Sequence, residues 1–469
     1  MLFNHRPSSI AHRLFLLPIA YCLLPLSFAF AVSSVNVPLD SWVYEALDRL
    51  EGYGLIDSAL SGTKPYSRLE VGRLVAEAMR KWEDLLSRMK PSGFAEKELI
   101  PLLFERFKKE FKPELIEWGA VDGTAVGTYL KPVDELIAKY VFQTHNPVIR
   151  PQGGAGAPST HTVYPIYNND GIVYQKGNNF STELQGEGRL WNHFSIYYRP
   201  IFKALEGEGA YVDLEKGYLK AEALNLEVEV GRDSLWWGPG YNGALLMTNN
   251  ACPFDLIKLS NPQPFLIPFL GPFKFNIFLS KLDYDQPNAH PLIHGLRLNF
   301  KPHPILELGI STIAIFDGEG RTDLSFSDYF SIIYGNTNPG GKTESNKQFA
   351  IDFSLRWPNM GKILPVARSL KFYGEIGAED TGYPPDRRAY LFGLLLNDLF
   401  LTGRMSLRLE YTTTTADGPP TAWYTHSSYP PIYHERIMGH HVGSNAQDIF
   451  VRLTSYLSTK LQLGLDFDA

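Results

Sequence analysis

Between Gly231 and Gly243 the chain contains Trp236-Trp237-Gly238-Pro239-Gly240-Tyr241-Asn242, and Thr248-Asn249-Asn250 follows closely. Indoles and a phenol set among amides suit one kind of chemistry. Flat rings lie against the C–H faces of sugars while the amides hydrogen-bond hydroxyls. Glu379-Asp380 and Trp423-Tyr424, with Tyr429, offer the same mixture further along. The candidate ligand-binding residues are therefore Trp236, Trp237, Tyr241, Asn242, Asn249, Asn250, Glu379, Asp380, Trp423 and Tyr424. A Trp-Trp-Gly-Pro-Gly turn suits a packed loop or an aromatic girdle equally well, and that alternative stands beside ligand contact at each position.

Other chemistries find less support. Glu379 and Asp380 are sequence neighbours, so on an extended strand they point to opposite faces and do not form a glycosidase pair by themselves. His434, His440 and His441 have no accompanying Cys or carboxylate cluster, and their spacing matches no standard metal pattern. There is no Gly-x-Ser-x-Gly elbow and no phosphate-cradling glycine loop. The expectation is a protein without metal, cofactor or catalysis.

The elements that must hold these residues fall into three parts. Arg6, His12 and Arg13 precede an apolar run from Leu14 to Phe28 and a small-x-small Ala29-Phe30-Ala31, which together read as a signal peptide over 1–31. Cys252 is then the one cysteine of the mature chain, so no internal disulfide is expected and stability must come from burial or barrel closure. From Pro38 to about Lys112 apolar residues recur at three- and four-residue spacing. Ser41 is placed to cap a first helix, Ser67 with Glu70 forms a capping-box signature for a second, and Phe94–Phe111 predicts a third. This makes a small helical bundle.

From about residue 118 the period changes to two. Phe349, Ile351, Phe353, Leu355 and Trp357 alternate with Gln348, Ala350, Asp352, Ser354 and Arg356, and Met405 to Tyr411 behaves likewise. Segments of about 9–11 residues match tilted membrane-crossing strands. About sixteen are legible, separated alternately by tight turns and long Gly/Pro/Asn/aromatic loops. Aromatic content of 13% excludes disorder, and a net charge of -6 gives no basic footprint for nucleic acid.

The Trp-Trp-Gly-Pro-Gly segment and Asn249-Asn250 are followed in order by Gly295-Leu296-Arg297, Leu306-Glu307-Leu308-Gly309, Gly318-Glu319-Gly320-Arg321, Tyr373-Gly374, Glu410-Tyr411, His426 and Gly439-His440. This series resembles the capsule-assembly Wzi family across nearly the whole mature chain. The resemblance implies an outer-membrane barrel of eighteen strands, closed at its periplasmic end by a helical bundle, that helps attach capsular polysaccharide to the cell surface. A second resemblance, to an S-layer-homology unit, rests on Trp42, Leu50, Gly54-Leu55-Ile56, Tyr66-Ser67-Arg68 and Glu70. It implies contact with peptidoglycan or another periplasmic polymer.

Residues and resemblance together predict a mainly β protein of the outer membrane. A transmembrane antiparallel β-barrel of about 18 strands occupies 118–469 and a periplasmic helical bundle, acting as a plug, occupies 32–117. The expected function is lectin-like binding and assembly of capsule or exopolysaccharide by a monomer, with surface polysaccharide and outer-membrane lipid as partners and no nucleic acid. A porin or sugar channel is the alternative, followed by a barrel enzyme acting on lipid or glycan. If both chain ends are periplasmic, the Ser458-Thr459 turn is extracellular and the Asn397-Asp398 connection periplasmic. Residues 413–447 must then conceal one more crossing, placed within 431–441, with Trp423 outside and His441 near the periplasmic end.

Overall fold

The computed structural model describes residues 32–146, 148–151, 160–163, 166–283, 286–334, 340–363, 365–379, 387–415 and 423–469. The expected signal peptide and Asp380 lie outside them. Helix α1 (Trp42–Gly52) starts at Ser41, whose hydroxyl accepts from Val43 N, and α2 (Arg68–Arg88) starts at Ser67, whose hydroxyl accepts from Glu70 N at 3.1 Å. The second helix thus has half of its expected capping box. Glu70 turns away from the cap, and its carboxylate pairs with Lys274 at 2.6 Å. A π-helical turn (Ala95–Leu99) runs into α3 (Ile100–Glu110), and α4 (Lys112–Glu117) carries Pro113 in its first turn, where a missing N–H costs nothing. Val43, Leu47, Leu74, Trp82, Phe104 and Phe107 meet in one apolar core.

Among the described residues the remainder is dominated by one antiparallel sheet of sixteen strands, accompanied by short two-stranded ribbons. Its continuous path begins with β1 (Tyr129–Gln143), β2 (Gly177–Leu190), β3 (Phe194–Leu205), β4 (Gly209–Ala223) and β5 (Leu226–Asp233). It continues through β6 (Phe254–Ser260), β7 (Gly271–Lys281), β8 (Leu292–His303), β9 (Leu306–Phe316) and β10 (Ser345–Trp357). It ends with β11 (Ala367–Glu379), β12 (Arg388–Leu399), β13 (Met405–Thr413), β14 (Gln447–Ser458) and β15 (Leu461–Asp468); short Phe265–Ile267 pairs beside β7. Neighbours on the path follow one another in sequence, as a meander requires.

The period-two pattern sorts the faces as expected. Phe349 and Ile351 are exposed on the outer face of β10, while Gln348, Ala350, Asp352, Ser354 and Arg356 are buried on the inner one. The sheet curls round the helices, because these reach inward-facing side chains along most of its path. Arg68 lies 3.8 Å from Glu187 on β2, Asn36 donates to Glu229 on β5, Glu51 pairs with Arg356 on β10, and Glu45 pairs with Arg452 on β14. The buried ion pair between Glu51 and Arg356 is costly to break singly. Together these contacts fix the helical unit at the end of the sheet where the tight turns lie.

Among the described residues of 413–447, which include 431–441, the expected crossing is absent. β13 pairs directly with β14, and in the intervening stretch Ile432–Tyr433 pairs only with Arg436–Ile437. The turn at Ser458-Thr459 therefore lies at the same end as the turn after β12, and Trp423 and His441 are both buried inside. The parity argument failed because the described residues 423–446 of this connection lie in the barrel interior and form no crossing strand.

Candidate functional site

Two connections fill the interior from the long-loop end: residues 234–253 between β5 and β6, and residues 423–446 before β14. Inward carboxylates of the sheet hold them. Glu410 accepts from Tyr241 N at 2.6 Å and Asn242 N at 2.7 Å, Glu375 accepts from Leu245 N at 2.9 Å, and Glu379 accepts from Tyr424 N at 2.6 Å. Each satisfies loop amides that have no strand partner, as buried backbone demands. Glu379 also accepts from Asn346 Nδ2 at 3.0 Å, so this predicted hydroxyl binder is engaged in loop anchoring.

The double tryptophan forms a two-residue ribbon with the helical unit, Trp236 opposite Lys64 and Trp237 opposite Thr63. One-residue alternation then divides their roles. Trp237 is 0% exposed, packs on Phe278 at 5.4 Å between ring centres, and stands over Gly295, where an added Cβ would come within 2.7 Å of the indole. Trp236 faces the other way, toward a cavity of about 470 Å³ between α1, the loop and the inner wall. Gly238 (φ +137°) turns the chain directly after the pair; a Cβ there would meet Glu375 Oε2 at 2.7 Å.

Of the predicted residues, Trp236, Tyr241, Asn242 and Asn249 line this cavity. Tyr241 donates its hydroxyl to Glu45 at 2.9 Å, and its ring lies under Arg408 at 4.2 Å. Asn242 Oδ1 accepts from the Tyr167 hydroxyl at 3.1 Å, and Asn249 Nδ2 donates to Asn168 O at 3.0 Å. Trp237, Asn250, Glu379, Trp423 and Tyr424 do not line it. Asn250 Nδ2 donates to Ile437 O at 2.9 Å, Trp423 rests against Gly377, and the Tyr424 hydroxyl accepts from His440 N at 2.7 Å.

Trp42, Tyr44, Tyr66, Tyr167 and Phe450 complete the aromatic lining, with Lys64 beside them, and sequence reasoning missed all of them as site residues. Lys64 Nζ sits 5.4 Å from the Tyr44 ring centre and 5.5 Å from that of Trp236. Burial, outweighing nearby Asp48, pushes its pKa down to about 8. The only available signal was composition. Tyr and Trp recur near the helix starts, but nothing local says they face the loop.

His440, His441 and Asp448 come within 4.8 Å of one another. His440 Nδ1 accepts from Val442 N at 3.3 Å, which leaves the ring proton on Nε2, 3.1 Å from the Thr412 hydroxyl. Burial keeps this ring neutral, well below the usual histidine range. His441 stacks on Tyr167 with ring centres 3.7 Å apart. His440 is thereby engaged in hydrogen bonds, while His441 Nδ1 is buried without a hydrogen-bond partner among the described residues and its Nε2 faces Asp468 at 3.6 Å and Asp448 at 4.0 Å. His434 stands apart, 3.1 Å from Asp283.

Residues 150–469 match the profile of the family described as capsule assembly protein Wzi. The chain belongs to the Wzi capsule-assembly family. A solved structure with the same fold is that of Wzi from Escherichia coli, described as an outer-membrane, carbohydrate-binding β-barrel involved in group 1 capsule assembly. The TM-score is 0.64 at 20% identity, covering 93% of this chain and 85% of that one. An uncharacterized 55.8 kDa protein of the Klebsiella pneumoniae cps region is 28% identical over 256 residues, 52% of this chain and 45% of that relative. The chain thus spans about half the length of that curated relative. With the Wzi family goes a location: the chain is an outer-membrane β-barrel.

Proposed function

We propose that this Wzi-family barrel binds surface polysaccharide and acts in its assembly at the outer membrane without catalysing a reaction. The observation that carries the reading is the cavity. Its volume of about 470 Å³ falls within the roughly 300–1,000 Å³ of small-ligand sites. Trp42, Tyr44, Trp236 and Tyr241 supply flat faces there, and Asn242, Asn249 and Lys64 supply polar groups beside them. Rings next to amides and charges are what a sugar chain needs from a binding site.

A lectin-like role suits the filled interior better than a diffusion channel does. Inward groups such as Lys220, Glu229, Arg297 and Glu375 are buried, and the helical unit occupies one end. Catalysis gains no support from the carboxylates, since Glu375, Glu379 and Glu410 all hold loop amides. The stretch similar to an S-layer-homology unit is also engaged. Arg68 pairs with Glu114 inside the helical unit at 3.1 Å and Glu70 with Lys274 on the sheet, so its polar residues hold the unit together and to the sheet. The reading takes the helical unit as a periplasmic plug and the barrel as a monomer.

The test combines two measurements on the full chain. In a planar bilayer the purified protein is expected to show no steady ion current, and cells carrying Trp236→Ala are expected to insert a folded barrel yet release capsular polysaccharide into the medium. A steady open conductance, or polymer retention equal to the parent, overturns the lectin reading.

A further inference from the structure

The connection between β9 and β10 differs from the inward-folded residues 234–253 and 423–446. It carries α5 (Phe326–Ile333), started by a capping box in which the Ser325 hydroxyl and Asp328 satisfy each other's backbone N–H groups. Ile332 is buried with Ala314 and Phe316, and the Tyr329 hydroxyl lies 3.1 Å from His294 Nδ1. Lys347 Nζ donates to Ile333 O at 2.6 Å.

Strand alternation tells which side of the barrel these partners occupy. Arg297 on β8, Glu307 on β9 and Asp352 on β10 all face inward, since they bond Thr63, Ser61 and Arg297. His294, Ala314, Phe316 and Lys347 are each an odd number of residues from one of those, in regular register, so they face outward. Helix α5 is therefore packed on the outer wall.

Its other side is left uncovered. Phe326, Phe330 and Tyr334 recur every four residues, so they share one stripe. Phe326 is 80% and Tyr334 79% exposed. The rings contact one another along the stripe, Phe326 meeting Phe330 edge to face with centres 4.7 Å apart and Phe330 stacking on Tyr334 at 6.5 Å. A row of aromatic rings left in water costs free energy, but just below it the outer wall continues as the lipid-facing belt of Phe349 and Ile351.

We propose that α5 is an interfacial helix, laying Phe326, Phe330 and Tyr334 into the headgroup region of the membrane leaflet at the long-loop end. An amphipathic helix lying in the interface plane buries its rings at the headgroup–acyl boundary, and large aromatic side chains prefer that depth. The helix would fix how deep this side of the barrel sits and keep the rim from tilting.

A photo-crosslinking benzophenone amino acid placed at position 326 of the full chain, reconstituted in phosphatidylethanolamine–phosphatidylglycerol vesicles, reads the occupant directly. The expected result is a lipid adduct in yield similar to that from position 351 on the strand wall, with little from position 319, which is exposed in the same connection. Chain-to-chain adducts from position 326 would assign the stripe to a second copy and overturn the proposal. So would lipid adducts at 351 alone, or equal lipid adducts at 319 and 326, since the helix would then hold no special place in the interface.

Discussion

Asp48 Oδ2 stands 3.0 Å from Arg408 Nη2, with Lys371 Nζ 3.1 Å from the other oxygen of the same carboxylate, so one side chain of α1 is tied to both β11 and β13. Burial pushes this carboxyl up, but Lys371 and Arg408 outweigh burial and hold it well below the usual range. A depressed carboxylate stabilises the fold above its unfolded value, near about 3.9, and the contribution is lost as pH falls through the folded value. Asp48→Asn is expected to cost about 3–5 kcal/mol at neutral pH, because two buried cations lose their partner. It should also flatten the acid limb of urea-unfolding curves. An Asn variant with the parent's acid limb would show that this pair does not hold the helical unit.

Lys64 gives a slope of the same sign in the alkaline range. Its pKa near 8 means that above this pH the folded chain has released a proton that the unfolded chain keeps until about 10.4. Unfolding then takes up a proton, so stability rises with pH between the two values. Lys64→Met should remove that rise, as measured by unfolding midpoints from pH 7 to 10. A parent curve that is flat over this range contradicts the buried ammonium.

The two tryptophans should separate cleanly. Trp237→Ala empties a packed site, and about 3–5 kcal/mol of stability is expected to go with it. Trp236 is also buried, at 5% exposure, but borders the cavity, so Trp236→Ala should cost less stability than Trp237→Ala while weakening polysaccharide binding. Losing one stacked ring is worth roughly 0.5–1.5 kcal/mol. Denaturation of both variants, paired with polymer retention on cells, checks this. Equal destabilisation would return the whole motif to packing.

The strand faces predict a third contrast. Ile351→Arg places a charge in lipid and should cost roughly 2–4 kcal/mol in bilayers, whereas Ile351→Leu should be near neutral. The inner face is no refuge for substitution, because it is filled. Asp352→Ala strands the guanidinium of Arg297, whose Nη2 lies 3.0 Å from Asp352 Oδ1, and about 3–5 kcal/mol is expected. Reversible unfolding in lipid vesicles measures all three; an Arg at 351 without cost would remove lipid from that face.

Much of the fold was legible because the relevant signals are local. Alternation in 348–357 assigns inner and outer faces without knowledge of any partner strand, since successive side chains must leave a strand on opposite sides. Ser41 and Ser67 mark helix starts for an equally local reason, the unpaired N–H groups of the first turn. The interior connections carry no such signal. Residues 423–446 have no repeating period, so their inward path was invisible and a crossing was inserted to balance the parity.

The site divides the same way. Residue types around Trp236 were enough to name aromatic and amide chemistry, and four of the ten candidates line the cavity. Which tryptophan faces it was decided by pairing with Lys64 and Thr63, roughly 170 residues away in sequence. Tyr44, Lys64 and Tyr167 joined the lining only through tertiary packing. Sequence alone determined that strands of two unlike faces, a capped helical unit and sugar-compatible residues are present, because these depend on neighbours along the chain. The tertiary structure decided that the barrel is filled, that Trp237 is core and Trp236 is wall, and that α5 lies outside, because those outcomes depend on which distant side chains exclude water from one another.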